Sequence, residues 1–323
     1  MYSTKEQYRD AWQKAYTVDP AVPLNVDIEL ASACNARCSF CLYGDHEWYQ
    51  GMANPDWDGK SKRRFMPKEM ALHIIDEAKD LGVPALKFNF RGESVLHKYF
   101  SEIVRYAERA GFWELLSNTN GNCPESSLDG LMACSKVMVS LDSMEPATYA
   151  KVRIGLSLDA AIKTIDELVK RGHPDLWVRR VVCQDNKDEK FVEAVKARWP
   201  SGLRVSEHFA FDRNHYKNES VHGEDFKNWP RRFCGYPAQR AVIEASGKYV
   251  PCCLAWEGEF DAGSFPQLSL KEYWDSQWRR NLANELRQGI FKNKKCQNCT
   301  SFMAYDRPER KYVQDVEVIT GGN

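Results

Sequence analysis

Residues 24–209 alternate between two kinds of apolar pattern, and this alternation constrains the fold more than any other feature of the sequence. Short stretches with apolar side chains at every second position predict strands, and longer stretches with a helical period predict helices between them. Strands that alternate with helices form parallel sheets through right-handed crossovers, and six such units are too few to close an eight-stranded barrel. The sequence therefore predicts an α/β fold, a partial (β/α)6 TIM-like barrel. The predicted strands are 23–30, 85–90, 113–117, 137–141, 176–183 and 203–209.

The flanks of this alternation have a different character. Ser3 and Glu6 predict a capping box that opens a leading helix. After about Phe211 the alternation gives way to a polar and aromatic stretch, then to a hairpin that turns at Ser246-Gly247. We therefore predict an N-terminal extension (1–23), the barrel (24–215), a small α+β domain (216–312) and a tail (313–323). The predicted helices are 3–16, 67–81, 99–110, 158–169, 187–199 and 270–288.

Charge and composition exclude several classes of protein. Lys and Arg number 45, and Asp and Glu also number 45, so no net charge draws the chain to nucleic acid or to an anionic membrane. No apolar run approaches the 18 to 20 residues of a bilayer span. The first 20 residues lack the apolar core of a signal peptide. We expect a cytoplasmic protein without a membrane partner.

The 11 cysteines are unevenly distributed, with one group near the start, one near the end and three single residues between them. In a reducing compartment such groups indicate metal ligands or catalytic thiols rather than disulfides. The single residues Cys123 and Cys134 are expected to be buried small apolar side chains, and Cys183 ends a predicted strand.

The first group, Cys34-x3-Cys38-x2-Cys41, follows the first predicted strand, at the end where α/β folds place their active sites. Three thiolates suit an iron–sulfur cluster with one open iron. A structural zinc site is the alternative, with His46 as its fourth ligand.

The stretch from Cys34 to Cys41, with the aromatic Phe40 before its last cysteine, resembles the signature of the radical S-adenosylmethionine (SAM) superfamily. Three further segments resemble motifs of that family, each at the end of a predicted strand. They are Phe90-Arg91-Gly92-Glu93-Ser94, Ser117-Asn118-Thr119-Asn120-Gly121, and Val139-Ser140-Leu141-Asp142-Ser143 followed by Tyr149 and Arg153.

The resemblance implies a SAM site and its ligands. Cys34, Cys38 and Cys41 would bind a [4Fe–4S] cluster, and Glu93 would receive the amino group of SAM. Ser140 would touch the ribose, and Arg153 would meet the carboxylate. The other implied cofactor-binding residues are Phe40, Gly92, Asn120 and Asp142. One departure stands out, because Arg91 occupies a position where the family has glycine and Ser94 one where it has proline.

The second group, Cys234-x17-Cys252-x43-Cys296-x2-Cys299, offers four thiolates. With the hairpin that leads into Cys252, it resembles the auxiliary-cluster domain of the Twitch type, related to the SPASM type, which implies a second [4Fe–4S] cluster. Zinc is again the alternative. Residues 277–312 carry nine Lys or Arg against three Asp or Glu. This surplus either compensates an anionic cluster or binds an acidic partner. The basic loop of Lys60, Lys62, Arg63 and Arg64 leaves the same choice open.

The resemblance implies an enzyme that cleaves SAM reductively, with a flavodoxin or ferredoxin as electron donor. Dehydrogenation and epimerisation both stay open, on a small, polar, sugar-like substrate. Cys253 is either inert, a ligand in place of Cys252, or a hydrogen donor, and Cys183 and His208 are weaker candidates for donor and base. Modification of a peptide is the alternative reaction. A non-catalytic zinc protein that binds nucleic acid is the alternative of another class.

Overall fold

The computed structural model describes residues 2, 4–41, 64–209, 234–255 and 260–299, together with the backbone of 317 and 318; the side chains of residues 208, 209 and 298 are excepted. In the described residues, the first six strands are parallel and neighbour each other in chain order. This order confirms the predicted partial barrel. The six strands are β1 (Asn25–Ile28), β2 (Ala85–Lys87), β3 (Glu114–Thr119), β4 (Lys136–Ser140), β5 (Leu176–Val182) and β6 (Arg204–Phe209).

Helices alternate with these strands, as the sequence predicted. The described helices of the barrel region are α1 (Lys5–Lys14), α2 (Lys68–Asp80), α3 (Phe100–Ala110), α4 (Leu128–Ala133), α5 (Pro146–Val152), α6 (Leu158–Lys170) and α7 (Phe191–Arg198). Those that follow are α8 (Tyr236–Gln239), α9 (Leu270–Asp275), α10 (Gln277–Arg287) and α11 (Lys294–Asn298). No described helix combines the length and the apolar character that a membrane span requires.

The hairpin predicted for the second domain extends the barrel sheet. Its strands are β7 (Arg240–Ile243) and β8 (Tyr249–Val250), and β7 pairs in parallel with β1. The pairing buries apolar side chains of both strands in one core, since Val26 and Ile28 lie opposite Ala241 and Ile243. At the far edge, β9 (Glu317–Val318) pairs antiparallel with β6. The described sheet therefore has the order β8-β7-β1-β2-β3-β4-β5-β6-β9.

Three predicted helix boundaries are wrong. Helix α1 is capped by Thr4 rather than by Ser3, because the Thr4 hydroxyl accepts a hydrogen bond from the Gln7 N–H at 3.2 Å. The predicted helix 270–288 is broken at Ser276, whose extended backbone ends α9 and whose hydroxyl caps α10. Helix α7 begins at Phe191 because the preceding residues form turns.

The two faces of the sheet differ in polarity. The face toward the helices carries the main apolar core, which includes Val26 and Leu86. The opposite face, here the inner face, carries Asp27 and Lys87 side by side and, further along the sheet, Arg179. Helix α1 packs against this inner face through Tyr8. The sheet therefore presents charged side chains to the space that it encloses.

Candidate active site

The first cysteine group lies in a loop after β1 that is fastened to the end of α5. The backbone N–H of Arg37 donates to the carbonyl of Ile154 at 2.9 Å, and that of Ser39 donates to Val152 at 3.1 Å. Within the loop, the N–H of Cys41 donates to the carbonyl of Cys38 at 3.0 Å. The loop is therefore held by backbone hydrogen bonds on both sides of Cys38.

Gly92 brings the loop after β2 against the cysteine loop. A Cβ atom at Gly92 would lie 2.4 Å from the carbonyl oxygens of both Ala31 and Ala33, so only glycine fits. The next N–H, that of Glu93, donates to the carbonyl of Ala33 at 2.8 Å. The two loops are thus in direct backbone contact one residue before Cys34.

Glu93 is a buried carboxyl group with one unused oxygen. Its side chain is 4% exposed, and Oε2 accepts a hydrogen bond from the Asn120 N–H at 2.8 Å. Among the described residues Oε1 accepts no hydrogen bond of normal geometry. Burial raises the pKa of Glu93 to about 7, although hydrogen bonds from Asn120 and Thr119 and the charge of Arg153 act in the opposite direction. A cationic donor at Oε1 would satisfy this carboxylate.

Asn120 connects Glu93 to the cysteine loop. Its Nδ2 donates to Asn35 Oδ1 at 2.7 Å, and Asn35 Nδ2 donates to the carbonyl of Asn122 at 2.9 Å. Asn35 was not among the predicted site residues, and its position directly after Cys34 is the only signal that could have found it. The asparagines therefore fix the ends of β1 and β3 relative to each other.

Arg153 joins the end of β4 to the cysteine loop. Its guanidinium donates to Asp142 and, through Nη1, to Cys38 Sγ at 3.3 Å, and it lies over the ring of Phe40 at 5.4 Å. Asp142 is fully buried, has φ 62°, and accepts a second hydrogen bond from the Val181 N–H at 2.6 Å. The structure thus brings Phe40, Asp142 and Arg153 together beside Cys38, one of the predicted ligands.

Two cysteines of the second group, Cys252 and Cys299, pack against the apolar Leu254. The partly buried residues that pack against Leu254 include Cys252, Cys253 and Cys299. The N–H of Cys299 donates to the carbonyl of Cys296 at 3.3 Å. Cys234, the remaining predicted ligand, lies near these two residues, because the charges of Cys296 and Cys299 both raise its pKa.

A model of the radical SAM superfamily matches residues 28–197, which is more than half of the chain. The chain belongs to the radical SAM superfamily. A second family model, for the SPASM iron–sulfur cluster-binding domain, matches residues 234–300. The two matches cover the two cysteine groups in turn, which favours iron–sulfur clusters over the zinc alternative at both.

This radical SAM chain is 22% identical over 287 residues to GTP 3',8-cyclase of Synechocystis sp., which is 87% of this chain and 82% of that protein. It is 28% identical over 189 residues to the mycofactocin maturase MftC of Mycolicibacterium smegmatis, 57% of this chain and 44% of that protein. The chain spans about half the length of several of these curated relatives.

Solved structures share the fold. BtrN in complex with AdoMet and 2-DOIA superposes with a TM-score of 0.59 at 15% identity, over 88% of this chain and 94% of that chain. Streptococcus suis SuiB bound to precursor peptide SuiA gives a TM-score of 0.62 at 15% identity, over 91% and 73%. The fold is therefore that of radical SAM enzymes with a C-terminal auxiliary domain.

The cofactors of a radical SAM protein with a SPASM domain are SAM, the [4Fe–4S] cluster that binds it, and auxiliary iron–sulfur clusters. The thiols fit this chemistry, being soft donors in two groups. Burial raises the pKa of both Cys34 and Cys234 to about 12. In the described part of the chain, no three His, Cys, Asp or Glu side chains are already gathered as a metal site. Because thiols with so high a pKa are protonated at neutral pH, binding of a cluster must displace their protons.

The departure from the family motif at Arg91 has a structural explanation. Arg91 donates from Nε and Nη2 to the two oxygens of Glu29 and lies 3.3 Å from Glu244 of the hairpin. The preceding Phe90 packs against Leu254, as do Cys252 and Cys299 of the second cysteine group. The segment from Phe90 to Glu93 therefore reaches the surroundings of the second cysteine group at one end and contacts the first cysteine loop at the other.

The remaining predicted residues are less closely connected. Ser140 ends β4, and Cys183 is 3% exposed in a turn that Asn186 closes by accepting the Cys183 N–H at 2.8 Å. His208 pairs with Val181 through its backbone, and its side chain lies outside the described residues. Cys134 is buried as expected, whereas Cys123 is half-buried. His46, Lys60, Lys62 and Arg63 lie outside the described residues, as do residues 300–312.

Proposed function

We propose that this chain is a radical SAM oxidoreductase or epimerase that acts on a small polar substrate. The observation that carries the proposal is Glu93, a buried carboxyl group with an unpaired Oε1, held by Asn120 against the cysteine loop. A buried carboxylate needs a cationic partner, and the amino group of SAM has the required charge.

The predicted ligands and contacts retain their roles within this proposal. Cys34, Cys38 and Cys41 would hold the cluster that binds SAM, with Gly92, Glu93, Asn120, Ser140 and Asp142 lining the site. Arg153 donates to Cys38 Sγ and would stabilise its thiolate. When bound, the cluster and SAM would supply a 5′-deoxyadenosyl radical for hydrogen abstraction.

The second group would bind one auxiliary [4Fe–4S] cluster through Cys234, Cys252, Cys296 and Cys299. Cys253 packs on the same leucine as Cys252, which keeps it a candidate hydrogen donor. Cys183 stays a weaker candidate because it is buried, and His208 a weaker candidate as base. An external ferredoxin or flavodoxin would deliver the electron, in the cytoplasm.

Peptide modification is the second candidate function. It is favoured by the similarity to SuiB, solved with precursor peptide SuiA, and to the mycofactocin maturase MftC. BtrN, solved with AdoMet and 2-DOIA, shares the fold at similar coverage of this chain. A search for the substrate should therefore include both classes of molecule.

The first test is iron content after anaerobic reconstitution with iron and sulfide. Two [4Fe–4S] clusters predict about 8 iron atoms per chain. Cys38→Ala and Cys296→Ala should each retain about 4, and the control Cys123→Ala should retain about 8. Reduced wild-type protein should then release 5′-deoxyadenosine from SAM, and Cys38→Ala should not. Full iron loading without SAM cleavage would contradict the proposal.

A further inference from the structure

A cavity of about 200 Å³ lies on the inner face of the sheet, beneath helix α1. Tyr8 and Trp12 of α1 line one side of it, and Lys87 and Arg240 line the sheet side. The cavity includes none of the predicted SAM contacts or cluster ligands. It is therefore a separate part of the space that the barrel encloses.

The carboxylates beside this cavity have partners. Asp27 accepts a hydrogen bond from the Tyr236 hydroxyl at 3.1 Å and pairs with Arg240 at 3.5 Å. Glu114 accepts a hydrogen bond from the Tyr8 hydroxyl at 3.3 Å. Both carboxylates therefore have partners of their own, whereas the cavity wall carries three cations, Arg9, Lys87 and Arg240.

Of these, Arg9 is exposed and Arg240 pairs with Asp27, which leaves Lys87, at the end of β2. Its side chain is half-buried, and among the described residues its ammonium has no hydrogen bond or ion pair within normal distance. Burial lowers the pKa of Lys87; Asp27 and Cys253 oppose this, whereas Arg240 and Arg179 add to it. Lys87 therefore lies among two arginines and one occupied carboxylate, a setting that leaves room for an anion.

The position of Lys87 connects the cavity to the reaction site. Cys253, beside a predicted auxiliary ligand, is close enough to act on Lys87 electrostatically. Six residues further along the chain, Glu93 lies against the SAM-cluster loop. Asn25, Glu114 and Arg240, which also line the cavity, begin their strands, so Lys87, at the end of β2, lies on the side of the cavity toward the first cysteine loop.

We propose that Lys87 is an anion-binding residue that anchors a carboxylate or phosphate group of the substrate in this cavity. The inference rests on the proposed function, because it assigns the bound molecule to the same enzyme. It narrows the substrate from a polar molecule to an anionic one. Arg240, held by Asp27, would contribute a second positive charge at the cavity wall.

The test is the thermal unfolding temperature of the full, iron-loaded chain in increasing inorganic phosphate, with sodium chloride at equal ionic strength as reference. Acetate, titrated separately, distinguishes a carboxylate site from a phosphate site. A bound anion stabilises the folded state by RT ln(1 + [L]/Kd), so the unfolding temperature rises with the anion concentration in a way that yields an apparent dissociation constant. We expect a rise in wild type with at least one of the two anions.

Lys87→Met should raise the apparent dissociation constant at least tenfold, and Lys87→Arg should largely preserve it. The matched control is Lys163→Met, at an exposed lysine of α6, which should behave as wild type. An equal response in Lys87→Met, or no response of wild type to either anion, would overturn the anion site. SAM cleavage by the same preparations reports on the proposed function independently, so the two ideas can fail separately.

Discussion

Arg91 and Glu29 form a two-pronged ion pair, with Arg91 Nε 2.9 Å from Oε1 and Nη2 2.8 Å from Oε2. The Glu29 side chain is fully buried and that of Arg91 is 10% exposed. Glu29 also accepts the N–H of Ala245, in the hairpin, at 2.9 Å. The pair thus joins the end of β1, the loop that carries Gly92 and Glu93, and the hairpin of the auxiliary domain.

Arg91→Met should lower the free energy of unfolding by about 3 to 5 kcal/mol, because it leaves the Glu29 carboxylate buried without its cation. Chemical denaturation measures this. The control is Arg171→Met, which removes two exposed ion pairs with Glu167 and Asp129 and should change the free energy of unfolding much less, because solvent screens exposed pairs. Equal losses in the two variants would show that the buried pair adds no special stability.

Gly92→Ala should cost about 3 kcal/mol, since its Cβ would overlap two carbonyl oxygens that belong to the backbone. The matched control is Gly172→Ala, where φ is +70° but no atom lies within 4 Å of the added carbon. That substitution carries only the strain of left-handed backbone, about 1 kcal/mol. If both variants unfold at the same denaturant concentration, the close approach of the two loops is wrong.

Glu93 should make stability fall as pH rises. Its pKa is raised from 4.5 to about 7 in the folded chain, so over that range the folded state retains a proton that the unfolded state has released. The contribution of Glu93 is therefore complete below about pH 4.5 and lost as pH rises through about 7, a change of about 3 kcal/mol at most. Urea unfolding of the metal-free chain between pH 5 and 8 tests this. Glu93→Gln should remove the part of this pH dependence that comes from Glu93. If the free energy of unfolding depends on pH as strongly in Glu93→Gln as in wild type, the dependence belongs to another group.

Iron counting also decides between neighbouring cysteines. Cys252→Ala should retain about 4 iron atoms per chain, whereas Cys253→Ala should retain about 8. The reverse result would make Cys253 the ligand. If Cys253→Ala keeps its iron, continued release of 5′-deoxyadenosine with loss of product would support hydrogen donation by Cys253, once a substrate is in hand.

The sequence predicted those parts of the fold that depend on local pattern. Strands β1 to β6 alternate with helices, so their parallel order followed from periodicity and crossover geometry. The place of β7 did not, because four residues such as Arg240–Ile243 contain no information about a partner strand near residue 25. The break at Ser276 was not predicted either, because the apolar period continues across it and a serine can lie inside a helix or cap one.

The site was predictable only where a motif marks it. Glu93, Asn120 and Arg153 were found because each follows a strand within a recognisable segment. Glu29 lies outside the recognisable segments, and Asn35, although it follows Cys34 inside one, has a role that depends on a partner far along the chain, as Glu29 does; the partners are Asn120 and Arg91. The same holds for Lys87, since a lone lysine in a strand is distinguished only by the walls of the cavity around it.

The position of β1 in the sheet has a consequence for synthesis of the chain. β1 is central, with Val26 opposite Leu86 on one side and Ala241 on the other. During translation β1 emerges well before its second neighbour, which follows about 200 residues later. Until then the backbone amide and carbonyl groups along one edge of β1 are unpaired and can form hydrogen bonds with a strand of another chain. We therefore expect a nascent chain to need shielding at this edge, and its first cysteine loop to become ready for iron only once translation has passed the hairpin.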